Sequence, residues 1–297
     1  MKAAASSPGT RRRGRGARAM SLCTVAILAI TASLGGYVAS REYTKERSVI
    51  FGTDSHNPNR VNLTAWITRV DTVSQTISVT FTDAVPMGSL ARPDGSFAEA
   101  VEFDTNAVQS GPLKVPAGEE LSSVEQKFSL EGTVTDFPFD RYTTYLSMAV
   151  TGSRDETVPL AVTVLSTDAF FKVSPYYDAE QDDYLNIDLG VVRSPSTLVF
   201  GVFIMILMLG LAFAAAVLAY FLVRNRQGLQ YSAYSVMGAL LFAMVPLRNA
   251  VPGSPPIGSV IDFMAFFIAE AVISASLITS VVVGYRQQLR LNSADPK

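Results

Sequence analysis

LVFGVFIMILMLGLAFAAAVLAYFLV, residues 198–223, contains no charged side chain, and the nearest charges on either side are Arg193 and Arg224. Crossing about 30 Å of hydrocarbon takes about 20 apolar residues in a helix, which satisfies its own backbone polar groups in lipid. The stretch is therefore expected to form a membrane-spanning helix over 196–223. Three further segments pass the same length test. One covers residues 20–39 and carries no charge. Another covers 229–247, with Tyr231 and Tyr234 near one end as interfacial anchors. The last covers 261–285 and carries a single acid, Glu270.

Short flanks set the orientation of such spans, because Lys and Arg are retained on the cytoplasmic side. The tail 1–19 holds Lys2, Arg11, Arg12, Arg13, Arg15 and Arg18 and no acid. The link after the 196–223 segment holds Arg224 and Arg226, and the tail 286–297 holds Arg286, Arg290 and Lys297 against Asp295. Both termini are expected in the cytoplasm of a multi-pass plasma-membrane protein, leaving residues from about 40 to 195 and the loop 248–260 outside. A cleaved signal peptide competes with the first span, but Tyr37 stands where its cleavage site wants a small side chain.

At 48% hydrophobic, the 297-residue chain is richer in apolar residues than a wholly soluble protein of its length needs. Its formal net charge of −2 averages a basic amino terminus with an acidic middle, and no other basic run points to nucleic acid. The single cysteine, Cys23, excludes an internal disulfide and a CxxC metal site. The single histidine, His56 in the loop GTDSHNPN, reads as a solvated residue and leaves the common zinc and Ser/His/Asp arrangements without their usual side chains. No cofactor, metal or catalytic residue is expected, and the protein is not expected to be an enzyme.

From Asn59 onward the pattern changes to short runs rich in Val, Thr, Ile, Phe and Tyr between Gly, Pro and Asp clusters, which is strand patterning. VNLTAWITRV, TISVTFTDAV, AEAVEFDT, VEQKFSLEG, YTTYLSMAV, VPLAVTVLS and YLNIDLGVV are the seven candidates. In the first, Val61, Leu63, Ala65 and Ile67 alternate with polar residues apart from Trp66, so one face should be buried and the other wet. No helix-period segment lies between the strands, which favours a β-sandwich over 40–195. The expected fold is an α+β membrane protein: an extracytoplasmic antiparallel β-sandwich plus four transmembrane helices. PMGSLARPDG, residues 86–95, reads as a turn-rich loop, and the acids of YYDAEQDDY (Asp178, Glu180, Asp182, Asp183) read as a solvated turn above the membrane rather than a calcium loop.

Two stretches are distinctive. DFPFDRYTTYL, residues 136–146, packs Phe137, Pro138 and Phe139 into a tight corner in which Asp140 can cap the turn ahead of Arg141 and the next strand. PLRNAVPGSPPIGSVIDF, residues 246–263, is a rigid proline-rich outer loop. With the order of one span, a β domain and three spans, they resemble the uncharacterised membrane family catalogued as domain of unknown function 4436. That resemblance implies the topology and no reaction. The Phe137–Asp140 tetrad is also similar to the membrane-facing corner of pentameric ligand-gated channels, whose sandwich likewise precedes a helical bundle. The chain departs from them in having a span before the sandwich, three after it instead of four, and no aromatic-box pattern.

Glu270 is costly inside a span and is expected to face the bundle interior, a partner or water. Eight residues after Asp262, it lies about 12 Å deeper along the helix, with Ser274 one turn further on. Arg248, at the outer end of the third span, is placed to reach Asp262 or Glu270. Such a pair serves as a helix lock, an ion or proton pathway, or a contact for another membrane protein. Alanines and serines at 212, 214–216, 269, 271 and 274–276 allow close helix approach. The preferred function is a non-enzymatic membrane protein whose outer domain binds a membrane or envelope protein, an envelope component or a second copy of itself, with membrane lipid as its other partner. The competing reading is a channel or transporter subunit that uses the bundle and Glu270.

Overall fold

A computed structural model describes residues 49–52, 57–109, 111–181, 184–225 and 228–294. The segment 20–39 read as the first span, with Cys23, the basic tail and His56, lies outside the described residues, as do Asp182, Asp183 and Arg226. Eleven strands come first: β1 (Val49–Gly52), β2 (Val61–Asp71), β3 (Thr76–Pro86), β4 (Val101–Thr105), β5 (Leu113–Val115), β6 (Val124–Ser129), β7 (Glu131–Gly132), β8 (Arg141–Thr151), β9 (Leu160–Ser166), β10 (Phe171–Gln181) and β11 (Tyr184–Arg193). They form one sheet in the order β1-β9-β2-β3-β6 and another in the order β10-β11-β8-β4-β5, with β7 on β8.

Alternation builds the shared core. Val61, Leu63, Ala65 and Ile67 of β2 point inward and meet Leu146 of β8 and Ile187 and Leu189 of β11 in one apolar cluster, closed by Phe81 edge-on to Phe128. Trp66 is on the outer face, its indole N–H donating to Thr167 Oγ1 at 3.0 Å. A bulge between Ile67 and Arg69 breaks the alternation, so that Thr68 and Arg69 both face solvent. The turn after β2 is held by Asp71, whose Oδ1 accepts the N–H groups of Val73 and Ser74 at 3.0 Å each.

Arg193, the last residue of β11, leads almost directly into helix α1 (Pro195–Arg224). Ser194 caps it, accepting from Thr197 N, and Pro195 occupies the first turn. Helix α2 (Tyr231–Asn249) follows, then a π-turn (Asp262–Phe266) that runs straight into α3 (Phe267–Ala294). Ile204, Met208, Ala212, Ala215 and Ala219 recur every three or four residues on α1 and meet Met237 and Met244 of α2 and Ala269 and Ile273 of α3. The opposite faces stay apolar yet uncovered: Phe213 is 71% exposed and Phe242 82%. Of the small residues, Ala212, Ala215, Ala269 and Ser276 are buried, whereas Ala214, Ala271 and Ala275 face outward.

The expected fold needs correction in three respects. Four transmembrane helices are not supported: the described residues hold three helices, of which two, Pro195–Arg224 and Asp262–Ser293, are long and apolar enough to cross a membrane. Helix α2 falls short because its first turn holds Tyr231, Ser232 and Tyr234 and its last holds Arg248 and Asn249, which leaves too short an apolar middle. The sheets are not purely antiparallel, since β2 and β9 pair in parallel from Val61↔Leu160 to Ile67↔Ser166. Finally, the acidic segment is not a turn up to Gln181: β10 continues through it, with Asp178 opposite Ile187 and Glu180 opposite Leu185.

Candidate functional site

The aromatic and proline corner lies where the sheets meet the helices. A 3-10 turn (Val134–Asp136) leads into it, and Phe139 N–H donates to Asp136 O at 2.8 Å. The next peptide, Phe137–Pro138, is cis. Phe137 leaves the sheet core and is fully buried in the helix cluster beside Ile204 and Met208. Pro138 lies against Gly201 of α1, where an added Cβ would stand 3.1 Å from Pro138 Cβ, closer than ordinary packing permits. Phe139 and Arg141, by contrast, are exposed.

Asp140 does not cap the turn. Its buried carboxylate is held by Arg193, which donates Nε at 3.0 Å to each oxygen and Nη2 at 2.8 Å to Oδ2, and by the Tyr142 hydroxyl at 2.7 Å. The two charged side chains are 1% and 0% exposed. The guanidinium carbon also stands 4.2 Å from the Phe171 ring centroid and 4.9 Å from that of Phe137, so aromatic faces supply part of the attraction that water would give. Burial first, and then the hydrogen bond to Asp140 and its charge, push the Tyr142 phenol well above its ordinary range. The third guanidinium nitrogen, Nη1, is buried without a partner. It faces Gly253 of the loop after α2, where φ is +82° and a Cβ would come within 2.4 Å of it. Strand β11, the corner and the loop after α2 thus converge on one arginine.

Arg248 and Asp262 form a second buried pair, at Nε to Oδ1 2.8 Å and Nη2 to Oδ2 2.9 Å. Arg248 Nη2 also donates to Pro256 O at 2.9 Å, and Asp262 Oδ2 accepts the Gly258 and Ser259 N–H groups at 2.7 and 3.2 Å. The pair ties the end of α2 to the start of the third helix and fixes the proline-rich loop between them. Glu270 joins neither cluster; it is half-buried and makes no hydrogen bond or ion pair among the described residues. No group of three or more potential metal ligands is present among those residues.

The corner residues were visible as a motif, but their partner was not. In the sequence Arg193 stands out only as the charge that bounds the apolar run, Tyr142 only as a motif and strand residue, and Phe171 lies in no candidate strand. The available signal was an arginine one residue ahead of a long uncharged helix, which must find a carboxylate once the helix is buried at its outer end.

Residues 51–191 match the model of a family described as Domain of unknown function (DUF4436). The β domain belongs to this family. Residues 193–287 match a second model, Domain of unknown function (DUF8686), so the DUF4436 match covers the β domain and the proline-rich loop belongs to the second region. Arg193 lies at the seam between the two. No curated protein matches the chain.

Proposed function

We propose that this is a non-enzymatic, multi-pass plasma-membrane protein whose β domain lies outside the cell, binds a membrane or envelope protein, an envelope component or a second copy of itself, and passes the bound state to the helices. The arginines of the tail 1–19, unopposed by any acid, favour placing that tail in the cytoplasm. The uncovered apolar faces of α1 and α3 support a membrane setting, because a soluble core helix would bury them. The observation that carries the coupling is the Asp140–Arg193 pair, which fastens the corner to the residue from which α1 starts. Lipid is the second partner, and nucleic acid is none. The test is purification in mild detergent with quantitative crosslinking. Linked partners or copies through the β domain are expected, and a strictly monomeric protein without partner or ligand overturns the proposal.

Glu270 favours a second reading, a channel or transporter subunit, because an unpaired carboxylate in an apolar helix needs water, an ion or a neighbouring chain. Reconstituted vesicles should then show a flux that Glu270→Gln alters. Absence of flux in every ion gradient removes that reading.

A further inference from the structure

At the foot of the β domain a groove of about 740 Å³ opens between the end of β2 and its turn, the segment preceding β10, and Gly253 and Ser254 of the loop after α2. That volume is in the range of small-molecule sites. The β2 bulge turns Arg69 outward into this groove, where it makes no hydrogen bond or ion pair among the described residues. Bulges of this kind re-aim side chains beside functional sites. Two carboxylates share the groove and are fixed by backbone N–H groups. Asp168 Oδ1 accepts from Phe170 and Phe171 at 2.8 and 2.9 Å and Oδ2 from Val70 at 2.9 Å. Asp71 accepts the backbone N–H groups of its turn through Oδ1. The Ser74 N–H first, with a smaller contribution from nearby Arg69, holds the Asp71 carboxyl below its usual range, so it is charged at neutral pH.

The groove therefore offers a cation and two anions side by side, together with exposed carbon: Phe170 is 47% exposed and Val73 68%. Its height is set by the first helix, since Phe170 O accepts the Ser194 N–H at 2.8 Å and the Thr197 hydroxyl at 3.4 Å. Phe170 thus stands at the first turn of α1, the level at which that helix meets a bilayer surface in the reading above.

We propose that this groove binds the headgroup of a zwitterionic, primary-amine phospholipid, with the phosphate at Arg69, the ammonium at Asp71 and Asp168, and the start of the acyl chains along Phe170 and Val73. Arg69 supplies charge-assisted donors to phosphate, and the carboxylates accept from an ammonium that keeps its N–H donors. A quaternary amine has no such donors and relies on an aromatic cage. A purely anionic lipid leaves both carboxylates unmatched.

The inference rests on the membrane reading, and the experiment separates the two. Membranes containing the full chain are first washed in alkaline carbonate; release of the chain overturns the membrane reading. The retained chain is purified in mild detergent and titrated by native mass spectrometry with phosphatidylethanolamine, phosphatidylcholine and phosphatidylglycerol of matched chains. Binding of the ethanolamine lipid about tenfold tighter than either other lipid is expected, and its loss in Arg69→Ala, the scale of one charge-assisted hydrogen bond. Equal binding of the three lipids, preference for the anionic lipid, or an unchanged preference in Arg69→Ala overturns the groove assignment. Full competition by soluble glycerophosphoethanolamine at equal concentration overturns the lipid as its source.

Discussion

Replacing Arg193 by Met removes a guanidinium from between two aromatic rings and leaves the Asp140 carboxylate buried with only the Tyr142 hydroxyl as donor. Both charged side chains are almost wholly inaccessible, and three N–H to O contacts of 2.8–3.0 Å disappear together. Stranding one partner of such a pair costs about 4 kcal/mol, because the other charge keeps its desolvation penalty without the compensating attraction. For a folding unit of this size that corresponds to a thermal midpoint roughly 12 °C lower. The same reasoning gives the double variant Asp140→Asn/Arg193→Met a smaller loss than either single charge deletion, since no buried charge is left over and the asparagine oxygen still accepts from Tyr142. Thermal melts of the detergent-purified protein, followed by near-ultraviolet circular dichroism, compare the two single variants with the double. Single variants that melt within about 3 °C of the parent, or a double variant whose loss equals the sum of the singles, would refute the argument.

Gly201→Leu forces a branched side chain against Pro138, where even a Cβ is crowded; a loss of about 1–3 kcal/mol is expected in the same melts, accompanied by faster hydrogen exchange at residues 137–140. Arg248→Ala should release the proline-rich loop at a cost of about 3–5 kcal/mol, read as rapid proteolysis between residues 250 and 260 that the parent resists. The raised Tyr142 phenol gives a signed pH dependence. Its contribution is fully present below the unfolded value of about 10 and is lost as pH rises through the higher folded value, so alkaline unfolding in Tyr142→Phe should lack that component. Absorbance at the tyrosinate band during an alkaline titration should show this phenol ionising only with unfolding.

Alternation makes β2, β3 and β8 readable in the sequence, because each has one dry face whose period of two survives over many residues. Strands β1, β5 and β7 span four, three and two residues and carry no period to detect. Strand β10 was hidden by Pro175 and its acids, which mimic a loop until β11 pairs with it. The parallel β2–β9 pair joins segments nearly a hundred positions apart, which local pattern does not report. The candidate site divides in the same way. Asp140 and its aromatic neighbours form a contiguous motif, whereas Arg193 lies 53 residues away and Gly253 further still. The length of α2 depended on polar residues at both of its ends.

Between β11 and α1 there is a single residue, Ser194, already committed through its own N–H and hydroxyl. That joint has no slack, so strand and helix behave as one bent rod pivoting at the arginine. Helix α1 has 30 residues and is about 45 Å long, so a rotation of about 5° at the pivot sweeps its far tip through about 4 Å, close to the width of a methyl group. A rearrangement too small to alter the sheet pairing would still be legible at the far end of the helix.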